Sequence, residues 1–85
     1  DNGDFKKVFA TVFQVLSTFL ENHPLAIVVF YGSSLARTRL YQIAISRELE
    51  QLEERFVVKG LANFIFEPFV KNKPYEAFSF SLKKM

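Results

Sequence analysis

Ser33, Ser34, Arg37 and Tyr41 are the side chains whose types and spacing best suit chemistry in this 85-residue chain. They fall in the stretch VVFYGSSLARTRLY, residues 28–41. An apolar run stops at Gly32, two serines follow, and a helix is expected to start. Open N–H groups at a helix start, two hydroxyls and a guanidinium can together hold a phosphate, sulfate or carboxylate. Arg37 is near the third helical position, where an exposed cation opposes the helix dipole by about 0.3–1 kcal/mol. A capping box would place Glu or Gln there instead. Three readings account for Arg37: an ion pair with a carboxylate such as Glu67 or Glu76, an anion bound at the helix start, or plain exposure without a role.

Helical geometry limits which of these groups act together. With Leu40 at the centre of the buried face, Ala36, Ile43, Ala44 and Arg47 fall within about 60° of it. Arg37 then lies at one rim of the apolar stripe and Arg39 at the other. Tyr41 sits one turn beyond Arg37 on the same side. Ser33, Ser34, Arg37 and Tyr41 are therefore the expected anion contacts.

No catalytic set emerges. The stretch FYGSSLAR resembles the glycine-serine turn of minimal nucleotidyltransferases, but those enzymes need paired aspartates downstream to hold two metal ions. Here the only aspartates, Asp1 and Asp4, lie upstream. The Gly-Lys-Ser/Thr ending of a P-loop is missing. A zinc site needs three or four ligands, and the chain has one His and no Cys. His23, before Pro24, reads as a helix terminator. A serine nucleophile would have only His23 or a lysine as base. Glu48, Glu50, Glu53 and Glu54 spread over a helical surface, which suits solvation better than paired acid–base work. No metal or cofactor is expected. A metal-independent nuclease or phosphoryl-transfer enzyme, with Arg37 or Arg39 stabilising charge and Tyr41 or Tyr75 moving a proton, is the enzymatic alternative.

Composition bounds the rest. The chain makes one domain, 1–85, with a core that must be efficient at this size. Eleven Phe and no Trp exceed what a small domain usually hides, so a homo-oligomer or a partner protein covering a Phe-rich surface is expected. The absence of Cys fits a reducing, cytoplasmic setting. Apolar runs are far shorter than the ~18 residues of a membrane span, and no membrane partner is expected. A net charge of +2 favours anionic partners, nucleic acid among them, only weakly.

The elements that must position these groups follow from periodicity. Asp4 is the expected N-cap of a helix over 5–22, in which Phe5, Val8, Phe9, Val12, Phe13, Leu16, Phe19 and Leu20 recur at helical spacing. Its polar face holds few basic residues, so core packing is the better reading than a membrane-surface helix. Residues 25–31 read as a buried central strand. Ser33 or Ser34 caps a second helix to about Ile45, and a charged third helix covers 47–55. Strands are expected over 56–59, 64–66 and 77–82, with turns at 60–63 and 71–74. Phe78, Phe80 and Leu82 alternate with Ser79, Ser81 and Lys83, one buried face and one wet one. Pro68 marks an edge or a strand end. The fold class is α+β: a mainly antiparallel sheet, one central strand plus a C-terminal three-stranded meander, with a long N-terminal helix and two shorter helices on one face.

The runs DNGD..KV.ATV, GSSLARTRLYQIAIS, F.V.G and PF.KNKPYEAF, in that order, resemble a family of small uncharacterised bacterial proteins, chiefly Bacteroidetes-type, known as a domain of unknown function. The resemblance extends from Asp1 to about Lys83. It implies an α+β fold and no particular reaction. Family members carry further residues before the Asp-Asn-Gly-Asp turn, so the chain resembles the C-terminal part of the family domain. They also often have Asn-Gly in the hairpin after the glycine matching Gly60, where this chain has Asn63-Phe64. The two most specific runs add weight to Arg39, Tyr75 and Glu76 as supporting residues, and a Glu76–arginine pair would tie helix to sheet. The expected function is a binding or interaction module, with an anion at the helix start after Gly32. The nuclease or phosphoryl-transfer reading and a partner role in a small regulatory pair are the alternatives.

Overall fold

A computed structural model describes residues 2–83, with side chains from residue 7 onward. The element order is α1 (Asn2–Asn22), β1 (Val28–Phe30), α2 (Leu35–Arg47), α3 (Leu49–Arg55), β2 (Phe56–Ala62), β3 (Ile65–Pro68) and β4 (Ala77–Leu82). The α+β class is as expected: three helices and a four-stranded antiparallel sheet.

The helix boundaries have local causes. Helix α1 starts at Asn2, so Asp4 lies inside it rather than capping it. The Asp4 and Phe5 side chains and residue Asp1 lie outside the described residues. Pro24 stops α1, and the His23 N–H closes its last turn on the Phe19 carbonyl at 2.9 Å. Ser34 caps α2, its Oγ accepting the Arg37 N–H at 3.2 Å. Glu48 breaks α2 from α3 with φ −105° and ψ 14°. Phe56 is already extended, so α3 runs into β2 without a loop.

The strand order is β1-β4-β2-β3. This corrects the expected meander: β4 pairs with β2 and β1, not with β3. It also corrects the expected central strand. Only Val28–Phe30 forms a strand, and it lies at the sheet edge. Just one face of the sheet carries helices, so alternate residues of the apolar run are left outside; Leu25 is 91 % and Tyr31 73 % exposed. An unbroken apolar run suggests two covered faces, and here one face is enough.

Register sets the covered face. Val28, Val58 and Phe80 align across three strands, as do Phe30, Phe78 and Gly60. Leu16 and Leu20 of α1, Ile45 of α2, and Leu49 and Leu52 of α3 close over them. Phe80 is the hub: its ring meets Phe30 at 5.6 Å, Phe13 at 6.2 Å and Phe56 at 6.4 Å. Phe78 and Phe80 are both fully buried, each contributing roughly 1.5–3 kcal/mol. Among the described residues no helix lies over the opposite face, with Val29, Val57, Lys59, Leu61, Ser79 and Ser81, although Ser79 on the inner strand β4 is itself buried, against the wet face expected there.

Helix α2 is rotated from the expected orientation. Its buried residues are Thr38, Ala44 and Ile45, whereas Leu40 and Ile43 are 43 % and 45 % exposed. The inward face therefore centres near Thr38, Tyr41 and Ile45, roughly one residue's rotation from Leu40. Helix α1 leaves Val8 and Phe19 of its apolar stripe exposed, and Val15 outside the stripe as well.

Candidate functional site

The α2 start is built by a small network. Ser34 Oγ caps the Arg37 N–H, and the Thr38 Oγ donates to the Ser34 carbonyl at 3.1 Å. Thr38 Oγ also accepts the Gly32 N–H at 3.2 Å. Gly32 is pressed so close that a Cβ would meet the Thr38 nitrogen at 2.5 Å. Thr38 was not singled out by sequence, yet it organises this turn.

The expected anion contacts are only partly together. Ser33, Ser34, Arg37 and Arg39 are exposed, and neither arginine has an ion pair among the described residues. The expected pairing of Arg37 with Glu67 or Glu76 is not made: Glu67 holds Lys73 and Tyr75, and Glu76 has no ion pair among the described residues. Tyr41 packs edge-on against Phe9, ring centres 5.4 Å apart. Tyr75 is buried over the sheet. No hydrogen bond or ring contact among the described residues links any two of Arg37, Arg39, Tyr41 and Tyr75.

A different polar cluster stands at the β3–β4 connection. Lys73 Nζ donates to both Glu67 carboxylate oxygens at 2.8 Å. The Tyr75 hydroxyl donates to Glu67 Oε2 at 3.0 Å and accepts the Val70 N–H at 3.1 Å. The Lys73 hydrogen bond, helped by Tyr75, holds the Glu67 carboxyl below its ordinary value. Glu67 in turn raises Lys73, and burial raises the Tyr75 phenol. The Gln42 side chain donates to the Lys73 carbonyl, tying α2 to the same loop. Every group here has a partner, and the set reads as a loop fastening. Residues 67, 73 and 75 are spaced across a Pro-containing loop, and no periodicity flags such a set.

A cleft of about 800 Å³ opens between α1 and the α2–α3 pair. Helix α1 supplies Phe9, Ala10, Phe13, Gln14 and Ser17, with Lys7 at the rim. The other wall is Ala44, Arg47, Glu48, Gln51, Leu52 and Arg55, and Phe56 of β2 closes the floor. Two contacts tie its walls together: Phe9 on Tyr41, and the Glu21–Arg55 ion pair. Arg55 also lies 5.9 Å over the Phe56 ring. The floor is aromatic and aliphatic, and the charges stand at the edges. None of these residues was read as a site from sequence. The available signal was a stripe of small and polar residues, Lys7, Ala10, Gln14 and Ser17, beside the Phe stripe at helical spacing.

Among the described residues no group of three or more His, Asp or Glu is placed to hold a metal ion. No helix among them is long and apolar enough to cross a membrane.

Residues 1–83 match the model of a family described as "Family of unknown function (DUF6934)". No curated protein and no solved structure matches the chain. With nearly its whole length covered, the chain belongs to this family of unknown function.

Proposed function

We propose that this family member works by binding rather than catalysis, and that a small molecule occupies the cleft between α1 and the α2–α3 pair. One observation carries the reading. The cleft's volume of about 800 Å³ falls within the roughly 300–1,000 Å³ usual for ligand sites, and it has their apolar floor with a few polar groups at the edge. The test is thermal melting with a panel of small apolar and amphipathic compounds, on wild type and on Ala10→Trp. Ala10 is exposed on the cleft wall, so the larger ring fills the cleft without entering the core. Stabilisation in wild type that disappears in Ala10→Trp supports the reading. Equal stabilisation in both proteins contradicts it.

A second reading keeps an anion, a free phosphate or a nucleic-acid phosphate, at the α2 start. It is favoured by the exposed Arg37 and by the Leu35 and Ala36 N–H groups, which have no partner among the described residues. Ser33 and Ser34 are beside them, and Tyr41 would reach in only from its Phe9 contact. Phosphate and sulfate should then raise the melting temperature of wild type and leave Arg37→Ala unchanged. In this proposal the setting is cytoplasmic and bacterial, and a second copy or partner protein covers the exposed apolar residues Leu40, Ile43 and Val29.

A further inference from the structure

We infer that the ligand of the cleft is an elongated amphipathic anion, with an apolar body and a carboxylate or similar head. The inference rests on the cleft being a binding site and adds its chemical class.

Three observations point to this class. The two contacts that tie the walls, Phe9–Tyr41 and Glu21–Arg55, are twelve residues apart along α1, roughly 18 Å at 1.5 Å per residue. Between them α1 lines the cleft with Ala10, Phe13, Gln14 and Ser17, a long wall. An extended chain or flat ring system fits along that wall more readily than a guest helix, about 10–12 Å across with side chains.

The floor favours an apolar body. Phe13, Leu52 and Phe56 face the space, with Ala10 and Ala44 on its walls. A wholly polar body would lose its water contacts over this floor, with Gln14, Ser17 and Gln51 as the only uncharged polar side chains among the described lining residues to replace them.

The rim selects the head. Lys7 stands on the α1 wall and Arg47 on the α2 wall, and neither has an ion pair among the described residues. Arg55 is already held by Glu21. Among the described residues Glu48 is the only carboxylate lining the cleft. The uncommitted charge of these lining residues therefore leans positive, with one cation on each wall, and favours an anionic head over a cationic one. A cationic amphiphile would face the same pair as repulsion.

The test uses displacement of 1-anilinonaphthalene-8-sulfonate fluorescence by dodecanoate, dodecanol and dodecyltrimethylammonium, all kept below micelle-forming concentrations. The expected order is dodecanoate tightest, at least tenfold ahead of dodecanol, with the ammonium weakest. Lys7→Gln combined with Arg47→Gln should shrink that tenfold gap below threefold; both residues are exposed, and circular dichroism checks that the fold is kept. Ala10→Trp and, separately, Gln14→Trp should weaken all three ligands. Dodecanol binding as tightly as dodecanoate, with both tryptophan variants still blocking, overturns the anion class and leaves the cleft as a binding site. Undiminished binding by both folded tryptophan variants, or no binding by wild type, overturns the class and the site together.

Discussion

Gly60 lies directly beneath the ring of Tyr75. A Cβ at Gly60 would come within 2.5 Å of the Tyr75 Cγ and Cδ1 atoms. Gly60 is in β2 and Tyr75 in the connection just ahead of the neighbouring β4, and the missing side chain is what lets the ring lie flat on the sheet. The ring position in turn brings the Tyr75 hydroxyl to Glu67 and Val70.

Gly60→Ala should therefore destabilise the fold by about 1–3 kcal/mol, the range for forcing extra volume into a packed site. Tyr75→Phe keeps the ring and removes one donor and one acceptor, and should cost about 1–2 kcal/mol. Urea denaturation of both variants checks this. A Gly60→Ala protein as stable as wild type would mean that the ring moves away freely.

The Glu67 cluster predicts how stability depends on pH. Glu67 has a folded pKa below its ordinary 4.5. Its stabilising share is present above that unfolded value and is lost as pH falls through the lower folded one. Lys73 is raised from 10.5, so its share is full below that value and is lost as pH rises through the folded one. Tyr75 is raised from 10.0 by burial, so the unfolded chain ionises first and stability declines from about that pH upward. Melting temperature should fall more steeply for wild type than for Glu67→Gln as pH is lowered from 6 to 3.

The β2–β3 hairpin turns on Asn63 and Phe64, both with positive φ, 53° and 65°. Phe64 is 95 % exposed, so its side chain adds little packing to offset the strain. Left-handed backbone costs a residue with a side chain roughly 1–2 kcal/mol, and Asn-Gly is the favoured pair for such a turn. Phe64→Gly should stabilise the protein by about 0.5–1 kcal/mol after the entropy of an added glycine is counted. Chemical denaturation at 25 °C reads the sign directly.

At the α2 start, the capping groups should matter and the arginine should not. Ser34→Ala should cost about 1 kcal/mol. Thr38→Val strips the Gly32 N–H of its acceptor and should cost about 1–2 kcal/mol. Arg37→Ala should be neutral or mildly stabilising, by up to about 0.5 kcal/mol, because it removes an unpaired cation from the positive end of the helix. A large loss in Arg37→Ala would reveal a structural role that its exposed setting does not suggest.

These cases show how far the fold and site were legible in sequence. Helical spacing located α1, and the serine pair located the α2 cap, because both signals are local. The alternation of Phe78, Phe80 and Leu82 gave β4 its covered face for the same reason, but Ser79 on the face expected to be wet is buried as well. Strand order was not local: nothing near Ala77 says that β4 pairs with β2 rather than β3. The orientation of α2 failed because Leu40 and Ile43 look like core, whereas the buried positions include Thr38, a polar residue satisfied by Gly32 and Ser34. The cleft was invisible because it arises from two helices meeting at Phe9–Tyr41 and Glu21–Arg55, pairs separated by more than thirty residues in each case.

The most direct test of the cleft as the binding site is amide chemical-shift mapping of the 15N-labelled protein titrated with dodecanoate. Saturable shifts concentrated at Ala10, Phe13, Gln14, Gln51, Leu52 and Phe56 are the predicted result. Shifts confined to the open sheet face around Val29, Val57 and Leu61, or to Ser33, Ser34 and Arg37, would contradict it.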